Sequence, residues 1–163
     1  QAQVNRMLKD ERSSALIDNF FGQWLFIRNM DLVRPDPKAY PEFDESMREA
    51  FKTETELFLR SQLAGDRSAR ELLTANYTFV NERLARHYEI PGIYGSRFRR
   101  VRLSDPTQRG GLLAHGSMLT TTSYPDRTSP VLRGKWLLDN LFGIRRHEMH
   151  RNADTPVPRV IRS

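Results

Sequence analysis

The apolar positions of this chain fall into helical registers, broken wherever proline, glycine or threonine cluster. Leu16, Ile17, Phe20, Phe21, Trp24 and Leu25 recur at three- and four-residue spacing. That stripe predicts a helix capped by Ser13 or Ser14, running to about Met30 with its aromatic side in the core. A shorter helix over Gln1 to Asp10 precedes it, with Val4, Met7 and Leu8 on one side. Three prolines in Arg34 to Pro41 (RPDPKAYP) block helix continuation and predict an extended connector. Asp44 then caps a long helix that reaches about Leu63 and ends at Gly65, with Met47, Ala50, Phe51, Leu57 and Phe58 on its apolar face.

The second half is more punctuated. Asp66 or Ser68 starts a short helix ending near Leu73, and Thr74 to Tyr77 turns the chain. Thr78 is the expected cap of the next helix, to which Phe79, Val80, Leu84 and Tyr88 contribute, and which stops before Pro91 and Gly92. Arg97 to Leu103 (RFRRVRL) alternates charge and bulk, as an edge strand does, and suggests one short hairpin. Arg109 to Thr120 (RGGLLAHGSMLT) reads as a helix of small residues that contains His115. Ser129 and Pro130 are cap and first residue of a last helix, Val131 to Phe142, closed by Gly143. The fold class is therefore mainly α: about six helices with irregular connectors and one short hairpin.

Composition limits what this fold can do. A chain of 163 residues is long enough for one compact domain with its own core. Without cysteine it has no disulfide, no thiolate metal site, no cysteine nucleophile and no CxxCH haem attachment of its own. No apolar run approaches the roughly 20 residues of a membrane helix. The chain starts at Gln1, and a piece of a longer or processed protein is the expectation. Its net charge of +6 is uneven: 13 basic and 15 acidic groups through Ser96, 8 and 3 from Arg97 to Gly143, 5 and 2 thereafter. A basic C-terminal half can attract phosphates, acidic glycans or an acidic partner, although a solvated basic face is the preferred reading.

Within the long helix, Glu54 stands among Ala50, Phe51, Leu57 and Phe58, three and four residues away. A carboxyl there needs a cation or several donors. It is a candidate general acid or base, with His115 as a second catalytic candidate; the structural alternative is a buried ion pair. The stretch from Leu119 to Trp136 (LTTTSYPDRTSPVLRGKW) concentrates hydroxyls, cations and an aromatic. It is expected to deliver Arg127 or Arg133 to Glu54, and Arg127, Ser129, Arg133 and Trp136 are the candidate binding residues. Loss of either member of such a buried pair would cost about 3–5 kcal/mol. His87 is a lone helical histidine, and His147 with His150 in HEMH lacks a third ligand, so no metal site is expected. Gly110 and Gly111 precede a helix but complete no phosphate-binding pattern.

Several ordered motifs give a resemblance: FFGQWL from Phe20, the FDESMREAFKTETELFL helix, NYTFVNERLARHYEIPG from Asn76, RGGLLAHGSMLTTTS from Arg109, and RTSPVLRGKWLLDNLFG from Arg127. Together they resemble two adjoining planctomycete-type bacterial domains of unknown function, the fifteen-ninety-two and fifteen-eighty-eight families. The resemblance covers 1–143 as one helical domain, with family segments of about 1–96 and 97–143. It implies a secreted or periplasmic multidomain protein in which haem c belongs to flanking modules, with no cofactor in this chain. It supplies no catalytic roles. The basic tail, 144–163, departs from the proline-rich linker expected after LFG; it is expected to be disordered, and a shifted reading frame is one account of it.

These readings give a leading function: a non-catalytic scaffold or interaction domain, whose partners are flanking haem modules or an acidic protein. The alternative is an enzyme acting on a polysaccharide-like polymer with Glu54 as acid or base. Nucleic-acid binding by the RFRRVR segment ranks last, for want of any nucleic-acid motif.

Overall fold

The computed structural model describes residues 3, 6, 7, 10, 13, 15–65, 67–104 and 109–144. Most of the short helix expected over Gln1 to Asp10, and the tail with its HEMH pair, lie outside the described residues. The protein is mainly helical, with one two-stranded antiparallel sheet.

The aromatic stripe near the N-terminus is not one regular helix to Met30. Leu16–Phe21 is wound as a π-helical segment, which passes into α1 (Gly22–Trp24) and stops where Phe26 takes a left-handed conformation, φ +60°. A 3-10 turn, Ile27–Asp31, follows. Ala15 precedes the segment without any side-chain cap, and the cap expected at Ser14 lies outside the described residues. The wider winding rotates part of the stripe outward: Ile17, Phe21 and Leu25 are buried, while Leu16 and Phe20 are exposed. Phe20 instead stacks on Trp24, with ring centroids 5.7 Å apart.

The axis of the fold is α2 (Glu45–Ala64), capped as its sequence requires, with Asp44 Oδ1 accepting from the Met47 amide at 2.8 Å. At twenty residues it spans about 30 Å. Met47, Ala50 and Phe51 of its first half pack with Met30, Val80, Leu84 and Tyr88. Phe58 and Leu59 of its second half pack with Phe21, Tyr77, Leu112, Met118 and Trp136. Between these two apolar clusters, one turn of α2 presents Glu54 and Thr55, both buried.

After α3 (Glu71–Thr74) the chain corrects one expectation. Tyr77–Val80 is a strand, β1, so Thr78 is not a helix cap. The aromatic and β-branched run YTFV suits a pleated surface better than a first helical turn. It finds its partner in β2 (Arg99–Arg102), with Thr78 opposite Val101 and Tyr77 opposite Arg102. The cap falls to Asn81, whose Oδ1 accepts from the Leu84 amide at 2.9 Å at the start of α4 (Glu82–His87). The arginines of β2 lie along the exposed side, and Arg100 covers the Tyr77 ring at 3.8 Å.

The C-terminal part closes over α2. Gly111 has φ +67°, and a Cβ there would lie 2.4 Å from the Leu73 carbonyl oxygen, so this crossing needs glycine. A 3-10 turn, Leu112–Ala114, leads into α5 (Gly116–Thr121), which His115 precedes and does not join. The threonine run ends α5 by bonding back to it: Thr121 Oγ1 to the Ser117 carbonyl at 2.9 Å, Thr122 Oγ1 to that of Met118 at 2.6 Å. Ser129 Oγ accepts from the Leu132 amide at 3.2 Å and Pro130 opens α6 (Pro130–Trp136), continued by a π-helical segment, Leu137–Leu141. The Asp36 amide donates to the Pro125 carbonyl at 2.8 Å, tying the proline connector to the threonine-rich stretch.

Candidate functional site

Glu54 is 1% exposed, and it is met by hydroxyls rather than by a cation. Thr78 Oγ1, carried in by β1, donates to one carboxylate oxygen at 2.5 Å. The Tyr88 hydroxyl, just past the end of α4, donates to the other at 2.6 Å. Tyr88 also accepts from the Gly116 amide at 2.9 Å, so the last link comes from the start of α5. That link needs a glycine, because a Cβ on residue 116 would sit 2.2 Å from the Phe51 ring. Burial, with the Glu54 charge second, holds the Tyr88 proton well above the ordinary tyrosine range, so the phenol stays a donor.

Thr55, the next residue on α2, extends the same polar layer. Its hydroxyl lies 2.7 Å from Ser117 Oγ and 3.1 Å from His115 Nδ1. The other ring nitrogen, Nε2, is buried without a hydrogen-bond partner, and the ring stands edge-on to Phe58 at 4.8 Å. Burial lowers the His115 pKa, with Glu54 pulling it up and Arg109 pushing it down. A neutral, fully enclosed imidazole carries no charge for an anion.

The expected ion pair is absent. No salt bridge to Glu54 forms among the described residues, and the arginines of the threonine-rich stretch go elsewhere. Arg127 is exposed, paired with Asp126 at 3.0 Å and lying 4.8 Å over Tyr124. Among the described residues Arg133 reaches only Thr122 Oγ1, from Nε at 3.5 Å. The physical reason is geometric: α6 packs on the Phe58 side of α2 through Trp136, whereas β1 and α4 deliver two hydroxyls directly to the acid. A cation that the sequence did not suggest does touch the layer. Arg109 lies 3.7 Å over the Tyr88 ring and donates to the Ala114 carbonyl at 3.3 Å.

Beside this layer is a cavity of about 480 Å³ between the proline connector and the threonine-rich stretch. Tyr88, Gly116, Arg109 and Arg133 line it; Glu54 and His115 do not. The Tyr88 ring and Gly116 thus form a wall with the cavity on one side and the acid on the other. Of the sequence candidates, only Arg133 reaches the cavity. Ser129 is committed to its cap, and Trp136 is buried in the core. Sequence reasoning missed Thr78, Tyr88, Thr55, Ser117 and Arg109. A signal for two of the hydroxyl partners was present in Thr78 of β1 and in Tyr88 just after α4, but their convergence depends on tertiary contacts. Among the described residues no group of three or more His, Asp or Glu is placed to hold a metal ion, and no helix is long and apolar enough to cross a membrane.

Residues 1–90 match the family model PSD4, described as a protein of unknown function, DUF1592. That is more than half of the chain. The protein belongs to the DUF1592 family. Residues 109–160 match a second model, PSCyt3, also of unknown function, DUF1588. These are the two adjoining planctomycete-type families whose motifs the sequence carries. The DUF1588 match extends past Gly143 into the basic tail. No curated protein and no solved structure matches the chain. The polar layer joins both segments: Glu54, Thr55, Thr78 and Tyr88 come from the DUF1592 range, His115, Gly116 and Ser117 from the DUF1588 range.

Proposed function

We propose that this chain is a non-catalytic scaffold or interaction domain of a larger secreted or periplasmic protein, in which haem sits in flanking modules. One observation carries the reading. The best-placed acid, Glu54, has both oxygens engaged by hydroxyls and is walled off from the cavity by Tyr88 and Gly116. An acid or base must come within hydrogen-bond reach of the proton it moves, and this one meets only its own fold. A buried acid with both oxygens hydrogen-bonded specifies one arrangement of the elements that meet it. Here those elements are α2, β1, α4 and the start of α5, so the layer acts as the joint between the two family segments. The cytochrome abbreviation in the name PSCyt3 supports haem-carrying neighbours, and the exposed arginines of β2 supply a basic face for an acidic partner.

The test is an assay for new reducing ends after incubation with neutral and acidic polysaccharides, on the wild type and on Glu54→Gln. The scaffold reading predicts none from either protein. Release by the wild type that Glu54→Gln abolishes would overturn it in favour of a polysaccharide-cleaving enzyme.

A further inference from the structure

Arginines without a carboxylate partner on the wall of a cavity are candidate anchors for an anionic ligand. Arg109 and Arg133 both line the cavity of about 480 Å³, within the size range of small-molecule sites. Arg109 uses one donor on the Ala114 carbonyl and stacks on Tyr88; Arg133 makes one long contact with Thr122. Neither has a carboxylate partner among the described residues. A guanidinium carries five N–H donors, so most of theirs are uncommitted. The acid on the same lining, Glu42, is a rim residue, 79% exposed and facing His87 at 3.7 Å.

We infer that this cavity binds a small amphipathic organic anion: a carboxylate carried on an aryl or short alkyl body, with Arg109 and Arg133 holding the charge. The body is specified by the walls. Val33, Pro35, Met47, Phe51 and Leu119 form an apolar part of the wall that a bare inorganic anion would leave uncovered, with Thr120, Ser123 and Thr128 as polar neighbours. The head is specified by arginine, whose planar fork suits a carboxylate. Both cations belong to the DUF1588 range and much of the apolar wall to the DUF1592 range, so the site is complete only when the two segments fold together. This inference goes beyond the scaffold reading and stands on different residues.

The test is fluorine NMR and calorimetric titration of the whole chain with 3-(4-fluorophenyl)propionate, its neutral amide, and inorganic phosphate. The carboxylate is expected to bind about tenfold or more tighter than the amide, the difference that one charge-assisted contact supplies, and phosphate is expected not to displace it. Arg133→Gln and Arg109→Gln should each weaken carboxylate binding several-fold while leaving amide binding in place. Arg109→Gln also loses its stacking on Tyr88, so Ala39→Trp, a bulky change at an exposed lining position, serves as a second variant: it should block both ligands with an unchanged melting temperature. Equal binding of acid and amide, displacement by phosphate, no wild-type binding up to about 10 mM, or full binding by Ala39→Trp would each overturn the inference. None of these outcomes bears on whether Glu54 is catalytic, and reducing-end release leaves this site untouched.

Discussion

Replacing Glu54 by alanine removes the acceptor for two buried hydroxyls at once. Thr78 and Tyr88 each lose a short hydrogen bond, of 2.5 and 2.6 Å, in a site water does not reach. A buried polar group left without a partner costs about 1–3 kcal/mol, and the void left by the side chain adds to two such losses. Release of a buried charge offsets part of the sum, so about 3–5 kcal/mol is expected, read by urea unfolding with circular dichroism at neutral pH. Tyr88→Phe should also destabilise, by stranding the Gly116 amide as well as one carboxylate oxygen. Because the two residues share one bond, the double mutant should cost less than the sum of the singles, with a coupling of about 1–3 kcal/mol. Arg133→Ala is the control: its single long contact to Thr122 predicts a loss below about 1 kcal/mol and no coupling to Glu54. A Glu54→Ala loss below about 1 kcal/mol, or a coupling to Arg133 as large as that to Tyr88, would refute the reasoning.

Gly116→Ala should destabilise by about 1–3 kcal/mol or more, because its methyl group would enter the Phe51 ring and push α5 off α2; the shift in urea midpoint measures it. Gly111→Ala combines a left-handed φ with a clash against the Leu73 carbonyl, and a similar loss is expected in thermal melting. The His115 pKa is lowered on folding, so the unfolded chain binds the extra proton: the imidazole's contribution is fully present above its ordinary value of 6.5 and is lost as pH falls below it. Stability should therefore drop as pH falls below 6.5, at up to about 1.4 kcal/mol per unit from this group, and His115→Gln should flatten that slope.

Local signals in the sequence located α2, its Asp44 cap, the enclosed position of Glu54 and the Ser129–Pro130 start of α6, because each depends on residues a few positions apart. Partners that arrive from elsewhere were not legible. Thr78 looks like a cap from its neighbours alone, and only the pairing of Tyr77–Val80 with Arg99–Arg102 moves that role to Asn81. The same strand then turns Thr78 toward Glu54, where charge counting had suggested an arginine. The spacing of the N-terminal stripe fits a regular helix, and the π-helical winding that sends Phe20 outward leaves no mark in that spacing. Nothing local to Arg109 marks it, since its place over Tyr88 is a product of the closed fold.

The central claim, that the Glu54 layer is a sealed joint between the two family segments, is tested most directly by native-state hydrogen exchange at the Gly116 amide. This N–H donates to Tyr88 across the joint. A sealed layer predicts that it exchanges only through global unfolding, with an opening free energy equal to that from urea. Exchange through a local opening of much lower free energy would contradict the claim, since water would then reach Glu54 in the folded protein.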